Sequence, residues 1–294
     1  MPQKSFGHKT PATILPLNLL SPAAALGAAA TLGVADFTGG VAGRRAAPSS
    51  VAIGIESVGL VALPLAFWLL PARLDLVAAL LAFAGGAVGG LGLIAFYRAM
   101  ALNLIGVVAP ITAVVAAALP TAVGVMTGDR LHAGQFAGIV VGLVAIALIN
   151  GVGRSSSAGA RSAVGLAILA GVGFGLFFIL VHAASVAGVT AFVSGRFGSA
   201  SAALCYSLIS RVSPIPPRQA WKLIGLGGTL DGVGVILYLY ATFHGLLSLS
   251  ALLTSFYPAF TVLSARLFIH ERMAPIQAVG AALALVAIAL IAAA

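Results

Sequence analysis

Residues 76–100 read LVAALLAFAGGAVGGLGLIAFYRAM, a run whose single charge, Arg98, falls within its last three positions. An α-helix rises about 1.5 Å per residue, so this stretch is long enough to cross the roughly 30 Å hydrocarbon core of a bilayer. It is apolar on every side, which fits a helix surrounded by lipid and other helices and not one with a face in water. Gly85 and Gly89, then Gly86 and Gly90, give two overlapping GxxxG spacings, the pattern that lets helix backbones approach closely inside a membrane.

Similar runs fill the rest of the chain. Hydropathy places ten spans at residues 23–41, 51–70, 76–100, 107–126, 133–149, 163–185, 187–209, 221–243, 246–269 and 275–294, separated by turn-rich or charged connectors such as Gly43-Arg44-Arg45 and Pro71-Ala72-Arg73. The composition agrees: of 294 residues 61% are apolar and 7% charged, too little polar surface to coat a water-soluble globule. The formal charge of +9 lies mostly in short connectors, where cations meet lipid headgroups, so the partner it implies is the bilayer and not nucleic acid. Cys205 is the only cysteine, and no His/Cys cluster has metal-ligand spacing, so neither a metal nor a cofactor is expected. Residues 1–21 read as a retained polar tail, and the Ser- and Gly-rich segment 151–161 as a flexible linker between two halves, 22–150 and 162–294.

The halves repeat each other. Gly85-Gly86 matches Gly227-Gly228, Gly92 matches Gly234, Asp129-Arg130 matches Glu271-Arg272 and Gln135 matches Gln277. The shift is constant, since 271 minus 129, like 227 minus 85, gives 142. It also lays Val144-Ala145-Ile146-Ala147-Leu148-Ile149 on Val286-Ala287-Ile288-Ala289-Leu290-Ile291. Because each half holds an odd number of spans, the second must enter the membrane from the opposite face. The expected fold is therefore an all-α membrane protein of ten helices in two inverted five-helix repeats. Two nearly equivalent packings of such repeats can expose a central site to either side in turn, the geometry of alternating access.

Asp36-Phe37-Thr38-Gly39-Gly40 leading to Arg44-Arg45, Tyr97-Arg98-Ala99, Gly128-Asp129-Arg130 and Ile269-His270-Glu271-Arg272 resemble the EamA-type branch of the drug/metabolite transporter superfamily. The signature that closes each repeat in that family is Gly-Glu-Arg followed by Gln. Here Asp129 stands for the Glu in the first half and His270 for the Gly in the second. The resemblance covers nearly the whole chain from residue 23. It implies ten helices in two inverted repeats that export metabolites, amino acids or toxic compounds; the expected location is a bacterial-type inner membrane, and no catalysis is expected. It names no particular cargo.

Charged residues inside the spans are the candidates for function, because a buried charge in a membrane costs a few kcal/mol or more unless paired or hydrated. Arg196 leads them: it lies in the seventh span amid Ser194, Gly195, Gly198 and Ser199, small neighbours that give a ligand access to the guanidinium. Glu56, with Gly54 and Gly59 nearby, stands 140 residues earlier, the shift that also lays residues 33–37 on 173–177, so one charge of each sign is expected around a shared cavity. Asp231 is the deepest acid and a candidate to exchange a proton on each cycle. Asp36 either belongs to the same site or pairs with Arg44 near the interface. Such a set suits a small amphoteric solute, whose acid group Arg196 would hold and whose amine an acid would take. The plainer reading is that Arg196 is simply neutralised by an acidic neighbour. Pro110, Pro120 and Pro258 fall inside spans and are candidates for kinks that gate the pathway, with Tyr257 part of a substrate wall.

Two other classes share parts of this pattern. A lipid-linked-sugar flippase has the same architecture. An intramembrane hydrolase would need Ser194 or Ser199 beside His182 or His244. Orientation divides the arguments: most connector cations lie on the side opposite the N-terminus, which puts both termini outside, whereas the resemblance implies cytoplasmic termini.

Overall fold

A computed structural model of the protein describes residues 17–102, 105–128, 133–150, 158–269 and 275–292. Asp129, Arg130, His270, Glu271 and Arg272, on which the repeat signature rests, lie outside them, as do residues 1–16 and 151–157. The described chain is all helical: α1 (Leu17–Gly43), α2 (Pro48–Gly59), α3 (Leu63–Leu69), α4 (Leu76–Met100), α5 (Ile105–Thr127), α6 (Ala133–Asn150), α7 (Ala158–Ala183), α8 (Val189–Ile209), α9 (Trp221–His244), α10 (Leu247–Thr254), α11 (Tyr257–Ile269) and α12 (Pro275–Ala292). Two expected boundaries move. Helix α1 takes in residues 17–21 of the expected tail, and α7 begins at Ala158, inside the expected linker, where Ala158 and Ala160 favour helix.

Among the described residues six helical stretches are long and apolar enough to cross a membrane: Leu20–Gly43, Pro48–Leu69, Leu76–Met100, Ser162–Ala183, Arg218–His244 and Leu249–Ile269. The other four expected spans coincide with α5, α6, α8 and α12. Helix α8 carries four serines and Arg196 in its 21 residues; it buries Arg196, Ser199 and Ser207 and turns Phe197, Leu204 and Leu208 outward.

Two spans are broken. Pro48–Leu69 passes through a 3-10 turn at Leu60–Ala62, with Pro64 opening α3 beyond it. The span over 246–269 breaks at Ser255 and Phe256, and Pro258 sits in the first turn of α11, where its missing N–H costs no helical bond. Pro258 therefore starts a helix and does not bend one. Helix α5 continues through both Pro110 and Pro120.

Packing follows from residue size. Helix α4 turns Leu80, Phe83 and Leu91 outward and buries Gly85, Gly86, Gly89, Gly90 and Gly92. In lipid there is no hydrophobic gain from pairing helices, so close backbone contact between small residues holds them. A Cβ on Gly86 would strike the Gly195 carbonyl, and one on Gly90 would strike Ser199. A Cβ on Gly228 would strike the Ile55 carbonyl, and one on Gly232 the Gly59 carbonyl. The second pair of contacts is the first with the halves exchanged: Gly228 and Gly232 are 142 positions beyond Gly86 and Gly90, and Gly195 and Ser199 are 140 beyond Ile55 and Gly59. Helix pairs follow the same exchange, with α1 against α9 as α4 against α7, α2 against α9 as α4 against α8, and α1 against α11 as α5 against α7.

At helix ends the connectors are pinned. Asp75 caps α4 by accepting a hydrogen bond from the Ala78 amide at 3.0 Å. Gly188, at a left-handed φ of 52°, turns the chain into α8, and the Val189 amide then donates to the Pro71 carbonyl at 2.9 Å. Thr190 Oγ1 adds a 2.8 Å bond to the Arg73 carbonyl.

Candidate functional site: a buried ion cluster in a central cavity

Helices from both halves leave between them a cavity of about 80 Å³. Helix α1 contributes Asp36, α2 Glu56, α8 Arg196 and Ser199, α9 Asp231 and α11 Tyr257. The five residues singled out from the sequence as binding or coupling candidates thus share one cavity. Pro120 and Pro258 are not among its described lining residues.

Arg196 is the hub. Its Nη1 donates to Glu56 Oε2 at 2.7 Å and also to Asp231 Oδ2, and these are the ion pairs among the described residues. Ser199, one helical turn along α8 and so on the same face, donates from Oγ to Glu56 Oε1 at 2.7 Å. Phe192, four residues back, lies under the guanidinium with its ring centre 5.2 Å from Cζ. Gly59 makes the room: a Cβ there would stand 2.9 Å from Nη1 and 3.0 Å from Cζ. The backbone glycine, the turn of α8 and the two carboxylates together hold a guanidinium that is 4% exposed.

The bonding is incomplete. Arg196 Nη2 is buried and has no hydrogen-bond partner, and neither has the hydroxyl of Tyr257. Asp36 is 6% exposed and makes no hydrogen bond or ion pair among the described residues. The alternative of a pair with Arg44 is not what the structure has: Arg44 is exposed beyond the end of α1, while Asp36 faces the cavity near enough to Asp231 for their charges to repel. Polar groups in a low-dielectric interior normally find partners, so two buried donors and a carboxyl without them, all on residues that line one cavity, mark it as the place where a ligand's polar groups can bind.

Sequence reasoning passed over the apolar wall. Phe174, Phe177 and Phe178 of α7 and Phe192 of α8 line the same space. The signal was present in the spacing of three Phe at i, i+3 and i+4, which places them on one helical face. Of the residues named for a hydrolase, His182 Nδ1 is bonded to Thr242 Oγ1, His244 Nδ1 to the Tyr240 carbonyl, and Ser199 to Glu56.

Fold and site together define a multi-pass helical membrane protein with a largely apolar cavity between its helices that holds a buried ion cluster. Residues 161–293 match the model of the EamA-like transporter family. A solved crystal structure 16% identical in sequence covers 93% of this chain and 95% of its own, with a TM-score of 0.64, and so shares the fold over nearly its whole length. No curated protein matches the chain in sequence.

Proposed function

We propose that the protein is a secondary transporter that exports a small organic solute across a bacterial inner membrane by alternating access of two inverted five-helix repeats. The observation that carries this reading is the ion cluster: Glu56 from the first half and Arg196 and Asp231 from the second meet in one cavity walled by both halves. The match to the EamA-like family supports the transporter class, and the exchanged glycine contacts and helix pairs support two related halves. In such an arrangement a rocking of one half against the other opens the cavity to one side as it closes the other.

The site suits a solute with an apolar body and a polar end. The phenylalanine wall takes the body, and the polar end meets the charged and hydroxyl groups of Asp36, Arg196 and Tyr257 that line the same cavity. Protons are the natural coupling ion for a site so rich in carboxyls.

The test is to express the wild type and Arg196→Gln in a bacterial host and compare all small metabolites in cells and medium. One compound leaving wild-type cells chemically unchanged, and retained when Arg196→Gln is present in the membrane at equal amount, is the expected result. Identical profiles for wild type and empty cells would sink the transporter assignment.

A further inference from the structure

The cavity holds three carboxyls, Asp36, Glu56 and Asp231, against one guanidinium. Arg196 serves Glu56 and Asp231 through the same nitrogen, so those two acids already share its charge. Asp36 is left over, 94% of it shielded, unpartnered and lining the cavity. A cluster with every acid ionised would carry two negative charges in excess, which a low-dielectric site does not hold without a proton or a bound cation.

We infer that Asp36 is the carboxyl at which a protonated amine on the cargo and a proton compete, so that the transporter exchanges an apolar amine cation for H⁺. The inference rests on the transporter reading and specifies its cargo. An anion would add to the excess negative charge and a zwitterion would leave it unchanged, whereas a monocation reduces it. An alkali ion would need a shell of oxygen ligands, whereas Glu56 and Asp231 are already bonded to Arg196 and Phe174, Phe177, Phe178 and Phe192 line the same cavity. The same rings favour an apolar body and attract a cation through their faces.

The exchange balances. Protonated Asp36 and R–NH₃⁺ give the Asp36 carboxylate paired with R–NH₃⁺, plus one free proton. No bond to carbon changes and no electron moves. The charged and titratable groups facing Asp36 are Tyr97 on α4, Glu56 on α2, Arg196 on α8, Asp231 on α9 and Tyr257 on α11. Of the acids among them, Glu56 and Asp231 are tied to Arg196, which leaves Asp36 the one free to trade partners. Amine binding should accordingly tighten as pH rises, because fewer protons then compete.

The experiment uses the purified full-length protein in detergent, with phenethylamine as the amine and 3-phenylpropionate as an anion of similar shape. Binding is followed by calorimetry, and proton release by an indicator dye in weakly buffered solution. The wild type should bind phenethylamine with release of a proton and should not bind 3-phenylpropionate. Asp36→Asn should lose the proton release and bind the amine about tenfold more weakly or worse, the scale of one lost charge-assisted hydrogen bond. Asp36→Glu should restore release along a displaced pH profile, which reads the site even where Asp36→Asn is not recovered folded. Undiminished release from Asp36→Asn, an undisplaced profile for Asp36→Glu, preference for the anion, or no amine binding by the wild type each overturn the inference. Export of an acidic compound in the metabolite comparison would leave the transporter reading standing and remove only the amine assignment.

Discussion

Glu56 and Arg196 are 140 residues apart in the chain and meet in a buried 2.7 Å ion pair. The pair joins α2 to α8, and the bond from the same nitrogen to Asp231 brings in α9. A cluster of this kind is asymmetric to break. Removing the cation strands two carboxylates, whereas removing one acid leaves the cation a partner.

Arg196→Gln should therefore destabilise the protein by about 3–5 kcal/mol, the cost of leaving buried charge uncompensated. Glu56→Gln should cost clearly less, because Asp231 stays on Arg196 and Ser199 can still bond to the amide oxygen. Thermal unfolding of the purified variants in detergent gives the order. Equal losses for the two would show that Asp231 does not share the guanidinium.

Two buried tyrosines offer a contrast between a satisfied and an open hydroxyl. Tyr238 donates to the Phe178 carbonyl at 2.9 Å, so Tyr238→Phe should lower stability by about 1 kcal/mol. The Tyr257 hydroxyl has no partner, so Tyr257→Phe should leave stability unchanged or slightly raised while weakening cargo export. A melting shift for Tyr257→Phe as large as that for Tyr238→Phe would mean its hydroxyl is bonded within the protein.

The glycine contacts predict where a methyl group is tolerated. Gly86→Ala and Gly232→Ala place a Cβ against backbone, at the Gly195 and Gly59 carbonyls, and should sharply reduce folded protein in the membrane. Gly165→Ala and Gly225→Ala meet nothing within 4 Å and should be neutral, or stabilising by up to about 1 kcal/mol through helix propensity. Fluorescence-detected size exclusion of the four variants is sufficient to compare them.

How much of this was legible beforehand depends on the length scale of the signal. Spans announce themselves through twenty residues of apolar sequence, so the helices could be read directly. Rare charges in apolar helices stand out for the same reason, and Arg196, Asp231, Glu56 and Asp36 were found that way. Which acid would be left without a partner could not be found so. That depends on Arg196 reaching Glu56 and Asp231 through one nitrogen past a side-chain-free Gly59, a matter of ångströms between three helices. Nor did Pro258 disclose its role, because a proline marks a helix start and a helix bend with the same letter. The aromatic wall was hidden by its ordinariness, since Phe is common in any membrane span.

Ser49 near the start of α2 and Ser207 near the end of α8 supply a test of alternating access itself. Their hydroxyls touch at 2.7 Å, both are buried, and Arg98 Nη1 bonds to the neighbouring Tyr206 hydroxyl at 3.1 Å. The cavity lining on α8 lies toward the other end of that helix, from Ala191 to Ser199, so these contacts close the bundle beyond the site. Side chains that meet head-on at this distance are well placed for a disulfide once both are cysteine, given the roughly 2.05 Å bond it needs. In a Cys205→Ser background, Ser49→Cys with Ser207→Cys should export normally when reduced, stop when oxidised with diamide, and recover on adding dithiothreitol. Each single cysteine should be indifferent to oxidant. Undiminished export by the fully cross-linked protein would mean that α2 and α8 need not part at this end, and that the solute leaves by another route.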